Sequence, residues 1–333
     1  FDLDKLELVG ESVPIAEGLL VRGNQRADVA VSRTGHALYA AGGAVGGLRE
    51  LVWVDREGRA TPVDRAFRVE LTGRPRISPD GRAATISIGT VGARQVWVKQ
   101  LGAGPATRVA DLGFAAVWTP DGRRLTFSRG ATVMQVPADG SAPPTALLNA
   151  EAASLAWSPD GRSLLFSNRG NLMVYRPGED SVPRVLVQDA GLQALPAVSP
   201  DGRWLAYASD ESGTWQVYVR PFPDASSAKW QVSVLAGYAP VWARSGRELF
   251  FLSQDSMYVA DVAAARGFSA GIPRALFPTG GLPALAYLYD VSPDARRFLF
   301  VRYQNTESLA PNDEMVLVQN FAAELRAKVP RGR

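Results

Sequence analysis

The chain has 333 residues, of which 46% are hydrophobic and 21% charged, a composition typical of a folded globular protein. The 36 basic and 33 acidic side chains nearly cancel to a formal charge of +3, and no Lys/Arg tract stands out. This pattern argues against a nucleic-acid-binding face. No apolar run approaches 18 residues, so we expect no membrane insertion by this chain, and the absence of cysteine excludes disulfides and thiolate metal sites.

The first predicted element pairs with the far end of the chain. Residues 1–18 resemble residues 262–280, where the third strand of a repeat gives way to a fourth. Residues 12–16 are therefore predicted to form a strand that completes the last repeat. Such a closure removes free sheet edges, which otherwise promote aggregation.

A four-residue turn then recurs seven times, with copies 39 to 49 residues apart. Pro presets φ at the second position, Asp suits the third, and Gly accepts the left-handed conformation that leads back into a strand. Each copy is predicted to be a tight hairpin, and its Asp a turn former rather than part of an acidic site. The copies are 32–35 (SRTG), 78–81 (SPDG), 119–122 (TPDG), 158–161 (SPDG), 199–202 (SPDG), 243–246 (ARSG) and 292–295 (SPDA).

Each turn is followed by the same apolar pattern. The third and fifth residues after the turn are apolar in all seven copies, so they lie on one side of a strand and are predicted to pack against the neighbouring repeat. The two columns are Leu38, Ala84, Leu125, Leu164, Leu205, Leu249 and Phe298, and Ala40, Ile86, Phe127, Phe166, Tyr207, Phe251 and Phe300.

A third strand follows in every repeat, from residues 52–54 in the first to 316–318 in the last, and a fourth follows in the first six. The last repeat instead continues into residues 320–329, a predicted short helix with Phe321, Leu325 and Val329 on one stripe. A period in the forties with four short strands indicates propeller blades. We therefore predict an all-β, seven-bladed β-propeller of four-stranded antiparallel blades, a single domain over residues 1–333, closed by the N-terminal strand.

The sequence favours a non-catalytic chain. Gly267 to Gly271 fits the G-x-S-x-G nucleophile elbow, but no His follows Ser269, and the only His is His36. The other repeats have Arg in the position of His36, which indicates an ordinary turn-covering residue. We expect no cofactor and no His-based metal site, because one imidazole cannot supply the usual ligand set. An oxygen-ligated cation at residues 210–211 or 312–314 stays an alternative, but neither segment has the spaced ligands of a calcium loop, so solvated loops and no metal site are expected.

The Ser-Pro-Asp-Gly-Arg copies at 78, 158 and 199, with Thr-Pro-Asp-Gly-Arg at 119, resemble the TolB-type, WD-repeat-like propeller family. Residues 1–14, 199–223 and 316–330 resemble the C-terminal propeller of membrane-anchored bacterial serine/threonine kinases. That resemblance implies an extracytoplasmic or periplasmic propeller tethered through a membrane helix, with kinase activity in a preceding domain. TolB itself has six blades, against the seven copies here.

The resemblance implies a sensor or interaction domain, expected to be monomeric, that binds a protein, peptide or small-molecule ligand. Loops at the mouths of a propeller channel carry such sites. Two alternatives remain: the gating propeller of a prolyl-oligopeptidase-like peptidase, and a periplasmic TolB-like assembly scaffold. On the face opposite the turns, six residues that precede innermost strands serve either as ligand contacts or as rim packing. They are Arg22, Asp111, Phe114, Gln193, Tyr238 and Tyr287.

Overall fold

A computed structural model describes residues 29–32, 34–40, 48–90, 92–253, 256–264, 267–279, 289–303, 315–319 and 321. The chain divides into two compact units, the terminal unit (Phe1–Gly47 and Asn305–Arg333) and the ring unit (Leu48–Gln304). Single-domain organisation over residues 1–333 stays a prediction. The predicted strand 12–16 and helix 320–329 lie outside the described residues, apart from Phe321.

The ring unit consists of six antiparallel sheets, which we number as blades 1 to 6. Short strands rich in Val, Ile, Leu and aromatic residues alternate with turns, as the repeat predicts. The first three blades are each built from one continuous segment. Blade 1 has β5 (Leu71–Ile77), β6 (Ala83–Ile88), β7 (Gln95–Gln100) and β8 (Ala106–Ala110); blade 2 has β9 (Phe114–Trp118), β10 (Arg124–Arg129), β11 (Thr132–Pro137) and β12 (Thr145–Leu148); blade 3 has β13 (Ala153–Trp157), β14 (Leu164–Asn168), β15 (Asn171–Tyr175) and β16 (Arg184–Val187).

Blades 4 and 5 are also continuous, whereas blade 6 joins two distant segments. Blade 4 has β17 (Gln193–Val198), β18 (Trp204–Ser209), β19 (Gln216–Pro221) and β20 (Trp230–Gln231); blade 5 has β21 (Tyr238–Trp242), β22 (Glu248–Ser253) and β23 (Ser256–Ala263), with β24 (Ser269–Ala270) and β25 (Arg274–Pro278) both on β23; blade 6 has β26 (Tyr289–Val291), β27 (Arg297–Tyr303), β3 (Arg49–Asp55) and β4 (Ala60–Pro62).

The six blades form a closed ring around their innermost strands. Each innermost strand from β5 to β21 contacts the next one along the chain, and β26 contacts both β21 and β5. The two predicted apolar columns are buried between blades in all six copies, with side chains at most 5% exposed from Ala84 to Phe300. The blade interfaces are thus the hydrophobic core, as predicted.

The pairing of the third strands differs from the prediction. Residues 52–54 were expected to follow the turn at 32–35 within one blade, but they lie in β3, which pairs with β27 of the seventh copy. Because β2 (Ala37–Ala40) and β27 occupy the same position in the repeat, either offers β3 an equivalent apolar edge. The β27 edge adds an ion pair between Arg302 and the buried Glu50, 2.6 Å apart.

The terminal unit contains the first turn copy. There β1 (Val29–Val31), β2 and β28 (Met315–Val318) form a three-stranded sheet in the order β1-β2-β28. Residues 316–318, expected as the third strand of the seventh repeat, therefore pair with β2 of the first. Among the described residues the expected count of seven four-stranded blades is not confirmed; five four-stranded blades and one five-stranded blade are present.

Candidate functional site

The six turns of the ring unit lie on one side of the ring, which we call the turn face. Each turn packs on the turn of a neighbouring blade: Gly122 faces Pro79, Gly161 faces Pro120, and Gly81 faces Pro293. The last of these contacts joins blade 6 to blade 1. The turns therefore contact one another at four of the six blade junctions, the fourth being Gly246 against Pro200.

Each turn satisfies its own polar groups. In the copy at 158, Ser158 Oγ donates to Asp160 Oδ1 at 2.5 Å and accepts from the Ser163 amide, while Asp160 Oδ1 also accepts from the Arg162 amide. The hydrogen bond from Ser158 is the main cause that lowers the pKa of Asp160 below its usual range. The interpretation of these Asp residues as turn formers is confirmed.

On the opposite side of the ring, which we call the bulge face, the same kind of β-bulge recurs from blade to blade. In five innermost strands the register with the next strand shifts. At each shift one residue has a left-handed backbone, which is rare outside glycine and is associated with bulges and functional sites. These residues, with their φ values, are Gly73 (81°), Ala115 (53°), Ser154 (53°), Leu195 (56°) and Ala239 (55°).

The bulge of β5 is the largest of the five. In β9 two residues, Ala115 and Ala116, stand between the paired positions of the ladder, but in β5 three do, Gly73, Arg74 and Pro75. Glycine tolerates the left-handed conformation without strain. The inserted residue places an arginine at the mouth of the channel, where the other inner strands have none.

Four of these bulges, at Gly73, Ala115, Ser154 and Leu195, line a cavity of about 200 Å³, which we call the arginine cavity. Among the described residues, three arginines and no acidic residue line it, together with one aromatic ring, two serines and a mainly apolar wall. A cationic, acid-free lining favours an anionic occupant. The lining residues are Gly73, Arg74, Arg76, Ser87, Arg94, Phe114, Ala115, Ala116, Val117, Ala153, Ser154, Leu155, Leu195 and Pro196.

The guanidinium group of Arg74 contacts Tyr289, but only part of its hydrogen-bonding capacity is used. Its Nε donates to the Tyr289 carbonyl at 2.8 Å, and its guanidinium carbon lies 5.5 Å from the centre of the Tyr289 ring. Its Nη2 is buried and has no hydrogen-bond partner. Burial, with a smaller contribution from nearby Arg76, lowers the pKa of Arg74 to about 10, so the side chain remains charged at neutral pH.

A second cavity, of about 390 Å³, opens on the turn face. All six innermost strands contribute to it, with the turn prolines from Pro79 to Pro200 and three tryptophans. Two of the indoles donate to backbone carbonyls: Trp118 to Arg76 and Trp242 to Ala197. Arg244 donates to the Ser78 carbonyl. The polar groups here serve largely to connect blades.

Of the predicted site residues, Phe114 alone lines the arginine cavity. Asp111 is exposed and pairs with Arg108 at 3.1 Å. Gln193 is buried, and its amide donates to the carbonyls of Ala190 and Gly191, so it stabilises its own loop. Tyr238 packs against the core of blades 5 and 6. Arg22 and Tyr287 lie outside the described residues.

Sequence reasoning missed Arg74, Arg76 and Arg94. A signal was available in the inner strand of blade 1, because Arg76 occupies the column that holds Val117, Ala156, Ala197 and Val241 in the next four copies. A charged residue in an otherwise apolar column marks a position where packing does not decide the residue type. The only other charged member of that column is Asp290 of blade 6, which accepts a hydrogen bond from the Ile77 amide.

The G-x-S-x-G segment has none of the elbow geometry. Ser269 begins the two-residue strand β24, which pairs with β23, and no helix follows it within residues 267–279. Phe268 is buried against Trp204 and Trp230. Within the described parts of the chain, no three His, Cys, Asp or Glu side chains are grouped as metal ligands require, and no helix has the length and apolarity needed to span a bilayer.

Comparison with solved structures places the chain among β-propellers. A TolB protein from Agrobacterium tumefaciens superposes with a TM-score of 0.57 at 20% identity, covering 78% of this chain and 100% of the other. TolB from Acinetobacter baumannii gives 0.52 at 14% identity, covering 78% of this chain and 64% of the other. A puromycin-hydrolysing peptidase from Mycobacterium tuberculosis gives 0.50 at 20% identity, covering 72% of this chain and 44% of the other.

These likenesses establish the fold and no more, because all three identities lie at or below 20%. No family model matches the chain, and no curated protein matches it.

Proposed function

We propose that this chain is a non-catalytic binding propeller that takes a ligand or a protein on its bulge face. The observation that carries the proposal is the meeting of four left-handed bulges around a cavity whose described lining has three arginines and no acid. Propeller function is sited at the channel mouths, and strain of about 1 kcal/mol per bulge residue is retained where surrounding structure demands it.

The contrast with the turn face supports this choice of face. There the Ser and Asp side chains bond within each turn, as in the pairs Ser78–Asp80 and Ser199–Asp201. On the bulge face the buried Nη2 of Arg74 has no protein partner. A buried donor without a partner is costly, and a bound ligand would remove that cost.

Thermal unfolding in the presence of cell extract tests this proposal. A fraction below 1 kDa and a protein fraction are each added to the chain, to Phe114→Ala, and to the control Phe67→Ala, which alters an aromatic side chain beside Lys99 instead. We expect one fraction to raise the melting temperature of the wild type and of the control, and to leave Phe114→Ala unchanged. No shift with either fraction, or an equal shift in Phe114→Ala, would contradict binding at this mouth.

The resemblance to kinase C-terminal regions gives the finer proposal. We propose that the propeller is the extracytoplasmic sensor of a bacterial serine/threonine kinase, tethered by a membrane helix that precedes it. The gene sequence upstream of Phe1 tests this directly: a kinase domain followed by one apolar segment is expected, and a hydrolase or a signal peptide alone would overturn it.

Two other roles have specific support. The likeness to a peptidase from M. tuberculosis favours a gating propeller, and the two TolB structures favour an envelope scaffold. An α/β-hydrolase encoded in the same gene would identify the first. Stable co-purification with one envelope protein, without stabilisation by any small molecule, would identify the second.

A further inference from the structure

We propose that the arginine cavity binds the carboxylate of a small, mainly apolar organic acid, with Arg74 as the anchoring residue. The inference rests on the proposed binding function of the bulge face and specifies the chemical class of its ligand. It follows from three properties of the cavity: its charge, its hydrogen-bonding capacity and its size.

The described lining of the cavity is cationic. Arg74, Arg76 and Arg94 line it, and no Asp or Glu among the described residues does. Arg76 lies close enough to Arg74 to lower the pKa of Arg74, which means that the two cations repel each other. Asp290 attracts Arg74 electrostatically. Its side chain, however, lines the cavity on the turn face and accepts a hydrogen bond from the Ile77 amide. An anion bound between the arginines would relieve this repulsion.

The free donor of Arg74 suits a carboxylate. Its Nε bond to the Tyr289 carbonyl and the nearby Tyr289 ring fix the guanidinium plane, while Nη2 remains without a partner. Arginine binds carboxylates through parallel N–H···O bonds, and a guanidinium already oriented by the protein loses little entropy on binding. A lysine would supply the charge without this planar geometry.

The size and walls of the cavity limit the rest of the ligand. A cavity of about 150 Å³ holds a benzene molecule, so the 200 Å³ found here accommodates an acid of roughly benzoate size. Phe114, Val117, Leu155, Leu195 and Pro196 supply an apolar wall, and the only hydroxyls in the described lining are those of Ser87 and Ser154. The scarcity of hydroxyls disfavours sugars.

Calorimetric titration with defined probes tests the assignment. Benzoate and hydrocinnamate are the carboxylates, benzamide is the neutral isostere, and inorganic phosphate is the competing anion. We expect a carboxylate to bind at least tenfold more tightly than benzamide or phosphate. Arg74→Lys should weaken carboxylate binding about tenfold, and Arg74→Met should abolish it. Arg123→Met, on the turn after Gly122, is the matched control and should bind as the wild type does.

The melting temperature of Arg74→Met separates a ligand anchor from a structural residue. If Arg74 is a ligand anchor, removing this incompletely hydrogen-bonded cation should leave the melting temperature unchanged or raise it. If Arg74 instead stabilises the fold, the melting temperature of Arg74→Met should fall by several degrees. Equal binding of benzamide, preference for phosphate, or undiminished benzoate binding by Arg74→Met would each overturn the carboxylate assignment. Absence of benzoate binding would do so too, and if cell-extract fractions also failed to stabilise the chain, the proposed function would fall with it.

Discussion

The two faces of the ring unit differ in how their polar groups are satisfied. On the turn face, each Ser-Pro-Asp-Gly copy bonds its own hydroxyl, carboxylate and amides, and turns pack on one another at four of the six blade junctions. On the bulge face, the same strands carry left-handed residues, and one of them carries an arginine with an unused buried donor. The turn face is therefore internally satisfied, whereas the bulge face keeps an unpartnered donor, which is why we propose the bulge face as the binding surface.

Substitutions in the apolar layer between the two faces should have the largest effect on the free energy of unfolding. Phe127 is fully buried between blades, whereas Phe114 is half-buried at the cavity. Phe127→Ala is expected to lower the free energy of unfolding by about 3–5 kcal/mol, and Phe114→Ala by about 1 kcal/mol. Urea denaturation measures both. A similar loss for the two variants would show that Phe114 belongs to the core rather than to the site.

The contacts between turns should be sensitive to single methyl groups. A Cβ at Gly81 would lie 2.8 Å from Pro293 Cγ, whereas a Cβ at Gly202 would meet nothing within 4 Å; both residues have a left-handed backbone. Gly202→Ala should cost about 1 kcal/mol from backbone strain alone. Gly81→Ala should cost about 2–3 kcal/mol, because the clash adds to that strain.

Equal urea midpoints for the two glycine variants would contradict the contact between Gly81 and Pro293. That contact joins the turn of blade 6 to the turn of blade 1.

A glycine at a strained position of the bulge face should relieve the backbone strain and stabilise the fold. Ala115 has φ of 53°, and Ala116 beside it is not among the residues with positive φ. Ala115→Gly is expected to raise the free energy of unfolding by about 0.5 kcal/mol, since relief of strain outweighs the added freedom of the unfolded chain. Ala116→Gly should lower it by about 1 kcal/mol. If both variants were destabilised equally, the left-handed bulge would not be strained.

Lowering the pH should reduce the stabilisation that the turn aspartates contribute. Hydrogen bonds lower the pKa of Asp160 from its usual 3.8, so its carboxylate stabilises the fold above that pH and loses this effect as pH falls through the lower folded value. The stability gap between wild type and Asp160→Asn should therefore be present at pH 7 and shrink below pH 4. Denaturation at pH 7 and at about pH 3 measures it, with exposed Asp111→Asn as control. A gap independent of pH would contradict the role of the charge.

The sequence predicts the regular parts of this fold because the same turn and strand pattern recurs in every copy, so an ambiguous assignment in one copy is resolved by the others. Six turns and the buried columns from Ala84 to Phe300 follow from turn chemistry and period-two patterning. The partner of β3 does not follow, because β2 and β27 are equivalent in the repeat. That choice depends on cross-strand contacts, such as Glu50 with Arg302 and Arg297 over the Trp53 ring.

The candidate site was harder to predict than the fold. Selecting residues before each innermost strand found Phe114, but it also selected Gln193, whose amide bonds to its own loop. The site depends instead on the single inserted residue of the β5 bulge, which displaces Arg74 relative to the repeat. A repeat predicts what its copies share, whereas the proposed site depends on a departure from the repeat.

The most direct measurement of the central claim is amide hydrogen exchange with and without saturating benzoate. Binding at the bulge face predicts slower exchange in residues 71–76 and 113–117, and unchanged exchange in the turns at 158–161 and 199–202. Protection confined to the turns, or spread equally over both faces, would contradict the assignment of the bulge face as the binding surface.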